Sequence, residues 1–213
     1  MECYSSYVSS TRASRRSRQQ SDTRESIIAS AEQLFIDHGY VGTTIGMIAC
    51  EAGAAVQTVY NAVGGKAAIL SAVLDRRASG TDGRPVVEFL AERLDAASDA
   101  VDVVRVLADW LSEVNIRTYP VHRVIAQGAA VDADLAALQT RRAQQRLERY
   151  ARAGHLLRDR GGLRSGLSDH DVAATVWSIG SPAAYEALVI DGRWTIDAHR
   201  QWIERALRAA LLR

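Results

Sequence analysis

Proline is nearly absent, with three in 213 residues. A chain so poor in the main helix breaker, with no sustained period-two alternation of apolar residues, is expected to be all-α. Cysteine is scarcer still. Cys3 near the N-terminus and Cys50 in a helical stretch form no disulfide framework and no metal spacing, which fits a reducing cytoplasm. Cys50 itself reads as a small buried hydrophobe. No apolar run reaches the ~18 residues needed to span a membrane, and the first residues lack the apolar core of a signal peptide. There is also no glycine-rich phosphate loop and no His/Cys ligand set, so neither a cofactor nor a metal is expected. Charge of one sign is lacking too. The net charge of +1 excludes a generic polycation, and any nucleic-acid binding has to come from a local patch. What the chain does have is apolar content: 47% hydrophobic residues, enough at this length to bury a sizeable core.

The most informative stretch runs from Thr43 to Lys66, TTIGMIACEAGAAVQTVYNAVGGK. Ile45, Ile48 and Ala49 make a small apolar face, Gly53 interrupts, and Val56, Val59 and Ala62 resume helical spacing. Ala49, Gly53 and Val59 stand where a helix-turn-helix needs a small contact residue, a residue tolerant of positive φ, and an apolar plug. With Val59 turned inward, the second helix presents Val56, Gln57, Thr58, Tyr60 and Asn61, side chains suited to base edges and phosphates. An ordinary helical hairpin would satisfy the same spacings. Thr44 lies at the N-terminus of the first of these helices, where free N–H groups and the helix dipole favour a phosphate. Lys66, the only lysine against twenty-five arginines, opens the following helix and suggests a compact ammonium pressed against a phosphate.

The flanks add a pattern. Leu34, Phe35, Gly39 and Tyr40 end an amphipathic first helix as LF-x3-GY. Thr43 and Thr44 follow, then Ile48, Ala49, Ala52 and Gly53, then Thr58 and Tyr60, and finally Lys66. This combination resembles the tetracycline-repressor (TetR) family of bacterial transcription regulators, over about a quarter of the chain. The resemblance implies a DNA-binding three-helix domain, a C-terminal helical domain that takes a small molecule, and dimerisation through the last long helices. Three positions depart from the family pattern. Ala55 replaces the usual Ser or Thr, weakening the cap of the recognition helix by ~1 kcal/mol. Val63 replaces an aromatic residue, and Gly64-Gly65 loosen the approach to the fourth helix.

In chain order, residues 1–21 are expected to form a disordered basic tail, since Ser, Arg and Gln leave almost nothing to bury. Arg12, Arg15, Arg16 and Arg18 there are either a solvated leader or an arm reaching DNA phosphates. Asp22 and Glu25 read as a capping box starting the first helix. Further helices are expected at about 44–51, 55–62 and 66–77, so that 22–79 forms the DNA-binding domain. GTDGR at 80–84 reads as a linker. From 85 to 213 the pattern gives helices at 86–97, 101–116, about 119–130, 133–160, 169–190 and 196–212, with Pro182 kinking or breaking the fifth. Arg141, Arg142, Arg146, Arg149 and Arg152 read as a solvated helix face rather than a second nucleic-acid face.

Asp169-His170-Asp171 superficially offers acid–base chemistry. Adjacent helical residues point apart, however, and the two acids read better as first-turn residues favouring the helix dipole. Trp110, Tyr119, His122, Trp177 and Tyr185 are candidates for the wall of a ligand cavity, although such stripes are commonly ordinary core. With no cluster of buried cations in view, an apolar or aromatic effector is expected and a multiply charged one is not. The reading is thus a cytoplasmic, homodimeric, ligand-responsive repressor that is not an enzyme. Its DNA contacts would be Thr44, Val56, Gln57, Thr58, Tyr60, Asn61 and Lys66 on a palindromic operator. An activator of the same family, an enzyme built on the C-terminal helices, and a module binding protein through the second motif helix are the competing readings.

Overall fold

The computed structural model describes the backbone of residues 3–79 and 86–213, and side chains from residue 18 onward except 80–87 and 89. The linker expected at 80–84 therefore lies outside the described residues. The helices are α1 (Cys3–Gly42), α2 (Ile45–Glu51), α3 (Val56–Ala62), α4 (Lys66–Ala78), α5 (Val86–Asp95), α6 (Ala100–Ala129), α7 (Ala133–Asp159), α8 (Asp169–Ile179), α9 (Pro182–Tyr185) and α10 (Ile196–Leu211). A π-helical segment, Glu186–Asp191, continues α9. The described residues contain no strand, only one isolated bridge between Leu163 and Leu212.

The motif region follows its local chemistry closely. Gly39 interrupts α1 with φ 69° and ψ 179°, a conformation that other residues adopt only under strain. Thr43 closes the break from below: fully buried, its hydroxyl donates to the carbonyls of Gly39 at 2.8 Å and Leu34 at 3.0 Å. Thr44 then caps α2, its Oγ1 accepting from the Met47 N–H at 3.1 Å. Gly53, at φ 63°, makes the turn into α3. Ala55 occupies the N-cap of α3 with no side-chain hydrogen bond, the weak cap its missing oxygen implies.

Two expectations for the N-terminal part fail. The segment 3–21, expected to be disordered, continues α1, and Asp22 lies inside the helix rather than capping it. No Gly or Pro interrupts residues 3–38, and Arg, Gln and Ala are good helix formers, so nothing in this stretch stops the helix. Cys50 is exposed, not buried. The apolar face of α2 is carried by Ile45, Ile48, Ala49 and Ala52, and Cys50 sits off that face.

Beyond the motif, the helices expected at 101–116 and 119–130 are one helix, α6, which runs through Pro120. Proline removes one helical N–H bond. The helix survives because it is buried on both sides of the defect, by Trp110, Leu111 and Asn115 before it and by Val121, Val124 and Ile125 after it. Pro182, by contrast, takes the first position of α9 behind a Ser181 cap, and the helix expected at 169–190 breaks there. Asp169 and Asp171 are consumed structurally. Asp171 completes a capping box with Ser168, while Asp169 meets Arg158 at 2.8 Å and His155 at 3.1 Å.

Two hydrophobic clusters organise the chain. One gathers Ile27, Phe35, Ile48, Val59, Ile69 and Val73 of α1–α4 with Val124 and Leu135 of α6 and α7. The other gathers Leu94, Val103, Leu111, Tyr150, Val172 and Ile203 of α5–α8 and α10. The far ends of α6 and α7 thus complete the N-terminal core, tying both parts into one packed unit.

Candidate nucleic-acid interface and internal cavities

The α2–turn–α3 unit is held from beneath by Val59, which is fully buried, and its opposite face is open. Val56 is 46% exposed and Tyr60 48% exposed, although side chains of this kind usually seek burial. Gln57 and Asn61 are exposed beside them, and the Gln57 Nε2 donates to Asn61 Oδ1 at 3.0 Å. That bond fixes the two amides as a pair with one donor–acceptor polarity. Thr58 and Asn61 also border a recess of about 740 Å³ that is lined from α1 by Gln19, Gln20, Thr23 and Arg24.

This last group was missed in the sequence because Asp22 reads as a helix start. With α1 continuous, Arg24 at this recess extends the polar face of α3, and Arg18 lies earlier on the same helix. Their contribution matters, because residues 22–79 hold only four Arg or Lys against six Asp or Glu. Two of those four, Arg76 and Arg77, are spent on Glu25 and Glu32 at 2.5–2.7 Å.

Lys66 has an intramolecular contact. Its Nζ sits 4.0 Å from the centre of the Tyr40 ring, and burial lowers its basicity while Asp132 raises it. Tyr40 in turn donates from its hydroxyl to Asp132 Oδ2 at 3.1 Å. The other oxygen of Asp132 accepts from the Leu135 N–H and caps α7. Lys66, Tyr40 and Asp132 therefore join the start of α4 and the end of α1 to the start of α7.

The C-terminal part contains two adjoining cavities, about 940 Å³ and 560 Å³, which share Leu74, His122, Arg142 and Arg146. Of the five aromatic and His candidates, Tyr119, His122 and Trp177 line the larger cavity, and Trp110 and His122 the smaller. Tyr185 lines neither. It is packed between Tyr119 and His199, with ring centres 5.3 Å from each, and supports the wall from behind. His199 is fully buried, its Nδ1 3.3 Å from the Ser112 hydroxyl. Tyr119 donates to Glu186 at 2.8 Å at one edge.

The arginines of α7 overturn an expectation. Arg142 and Arg146 are not on a solvated face but line both cavities. Arg142 also reaches α4, meeting Asp75 Oδ2 at 2.6 Å and the Ser71 carbonyl at 3.3 Å. A signal was available in the sequence. Leu135, Leu138, Arg142, Arg146, Tyr150, Ala153 and Leu157 recur at spacings of three and four, a single stripe with two arginines in its middle.

Residues 27–73 match the family model described as bacterial regulatory proteins, tetR family. This N-terminal segment is similar to the DNA-binding part of that family. The proteins of that family are bacterial regulators. A search of curated protein sequences finds no match. Among solved structures, NalD, the secondary repressor of the MexAB-OprM multidrug efflux pump of Pseudomonas aeruginosa, superposes with a TM-score of 0.69 at 21% identity, over 91% of this chain and 98% of that one. SmeT, repressor of the Stenotrophomonas maltophilia efflux pump SmeDEF, in complex with triclosan, gives 0.69 at 23% identity, over 90% and 92%. A regulator from Saccharomonospora viridis in complex with choline gives 0.65 at 17% identity, over 91% and 99%. At these identities the likeness is one of fold across nearly the whole chain.

Proposed function

We propose that the protein is a homodimeric, ligand-responsive repressor that leaves a palindromic operator when a small molecule occupies the cavities beside His122. The observation that carries the DNA-binding half is the open α3 face, where Val56, Gln57, Tyr60 and Asn61 stand exposed on a fully buried Val59. In this reading residues 22–79 bind DNA, and 85–213 hold the effector and the partner subunit. Gln57, Asn61 and Val56 meet base edges in the major groove, while Thr44, Thr58, Tyr60 and the remaining donors of Lys66 meet phosphates. Arg18 and Arg24 supply the nearby positive charge. Ile190 and Trp194, 45% and 38% exposed beside α10, supply apolar surface for the second copy.

The structures bound to triclosan and choline support a small-molecule effector of some kind, and the Trp110, Tyr119 and Trp177 rings of these cavities suit an aromatic or apolar body. Linkage then requires that effector and DNA weaken each other equally, and a coupling of ~1–3 kcal/mol makes a usable switch. The lever is α4. Arg142 of the cavity wall grips its Ser71 and Asp75, and Arg117 of α6 donates to the Arg77 and Ala78 carbonyls at 3.1 and 3.2 Å.

The assignment of roles has a direct test in single-base variants of a selected operator. Gln57→Ala should relax preference at one position, removing ~1–3 kcal/mol of discrimination there. Tyr60→Phe should weaken every variant about equally, since phosphates carry no sequence information. A uniform loss with Gln57→Ala removes Gln57 from the base readers.

A further inference from the structure

The inward stripe of α7 places two guanidinium groups where packing alone would select apolar side chains. Arg142 is neutralised by Asp75, at 2.6 Å. Arg146 is not. Its Nε donates to the Arg142 carbonyl one turn back, at 3.3 Å, and no carboxylate of the described residues lies within 4.0 Å of it. Asp75, Glu148 and Glu186 also line the cavities, but none acts on Arg146, whose charged neighbours are Arg142 and Arg149. Burial and these two cations hold its basicity below the ordinary arginine value. His122, across the shared wall, meets the same field. Burial first, then Arg146 and Arg142, bring its pKa down to about 3, so at neutral pH it offers a ring hydrogen bond and no charge. The wall also carries aromatic rings, Tyr119 and Trp177 in the larger cavity and Trp110 and Tyr150 in the smaller, among polar groups such as Gln139, Thr140 and Asn115.

We propose that the effector of these cavities is an amphipathic organic anion, its acid group seated on Arg146 beside His122 and its apolar body laid against Trp110, Tyr119 and Trp177. The inference rests on the reading of these cavities as the effector site and names the chemistry they accept. A part-buried guanidinium without a counter-ion is costly to the empty protein. An acid group removes that cost and can meet the planar fork with two hydrogen bonds. A neutral ligand of the same shape leaves Arg146 unpaired. A cation seated at Arg146 is repelled by it and by Arg149 beside it.

Two fluorescent probes that share one ring system and differ by a single sulfonate test this on the full chain without DNA: 8-anilino-1-naphthalenesulfonate and the neutral N-phenyl-1-naphthylamine. The sulfonate should bind about ten-fold tighter, the worth of a charge-assisted hydrogen bond. Arg146→Gln should bring the two affinities within about two-fold by weakening the sulfonate alone. Arg146→Lys should retain part of the preference. The thermal midpoint of the probe-free Arg146→Gln protein should equal or exceed that of the wild type, because an unpaired part-buried charge is gone. Equal binding of both probes by the wild type overturns the proposal, as does a sulfonate preference that persists in Arg146→Gln. Failure of the DNA-binding reading is seen separately: the probe-free wild type would bind no duplex, however the probes behave.

Discussion

Between pH 7 and pH 5 the protein should lose about 2 kcal/mol of folding stability through His122 alone, at about 1.4 kcal/mol per unit of pKa difference. The folded-state pKa of His122 is pulled down to about 3, against an ordinary value of 6.5, by burial and then by Arg146 and Arg142. A depressed base binds its proton less readily in the folded state than in the unfolded chain. Its stabilising effect is therefore complete above about pH 6.5 and is lost progressively as the pH falls toward 3. Burial lowers His199 in the same direction, so the prediction is a difference between proteins. His122→Gln, neutral throughout, should show a flatter decline of denaturation midpoint between pH 6.5 and 4. Parallel curves for the two proteins would mean that His122 is freely hydrated and that the charge field of α7 does not reach it.

Phe35→Ala should cost about 3–5 kcal/mol, the range for removing a fully buried aromatic ring. Phe35 has no exposed surface and lies 6.0 Å, centre to centre, from the stacked ring of Tyr40. It belongs to the same cluster as Ile48, Val59 and Val73, so its removal takes the platform from beneath α2 and α3 together. For a chain of this size each kcal/mol lowers the thermal midpoint by roughly 2–4 °C. The fall should be read by far-ultraviolet circular dichroism, and DNA binding should fail at temperatures where the wild type still binds. A midpoint within a degree of the wild type would show that this core does not limit stability.

How much of this was legible in the sequence depended on whether local chemistry or distant packing decided the outcome. Thr44, Gly53 and Ala55 carry their signals within a few residues, and the limits of α2, α3 and α4 fall within one residue of those expected. Pro182 broke its helix as expected because a serine cap and a close turn were available there. Pro120 did not, because α6 packs into both hydrophobic clusters and tertiary burial outweighs one missing hydrogen bond. The N-terminal extension of α1 was hidden by a capping-box pattern at Asp22 that a continuing helix leaves unused. The contact of Tyr40 with Asp132 joins residues ninety-two apart and leaves no local trace. Arg142 and Arg146 were visible in the periodicity of α7, but arginine is so commonly exposed that their stripe read as solvent-facing.

The claim on which the rest depends is that two copies of this chain present paired α3 helices to one palindromic duplex. The most direct measurement selects bound fragments from a random duplex pool, then titrates the protein into the selected duplex at concentrations far above the dissociation constant, at several salt concentrations. The selected sequence should be an inverted repeat with half-sites about one helical turn apart. Binding should saturate at two chains per duplex, or a multiple of two, and log affinity should fall linearly with log salt. Saturation at one chain on a sequence without two-fold symmetry, or affinity indifferent to salt, would contradict it.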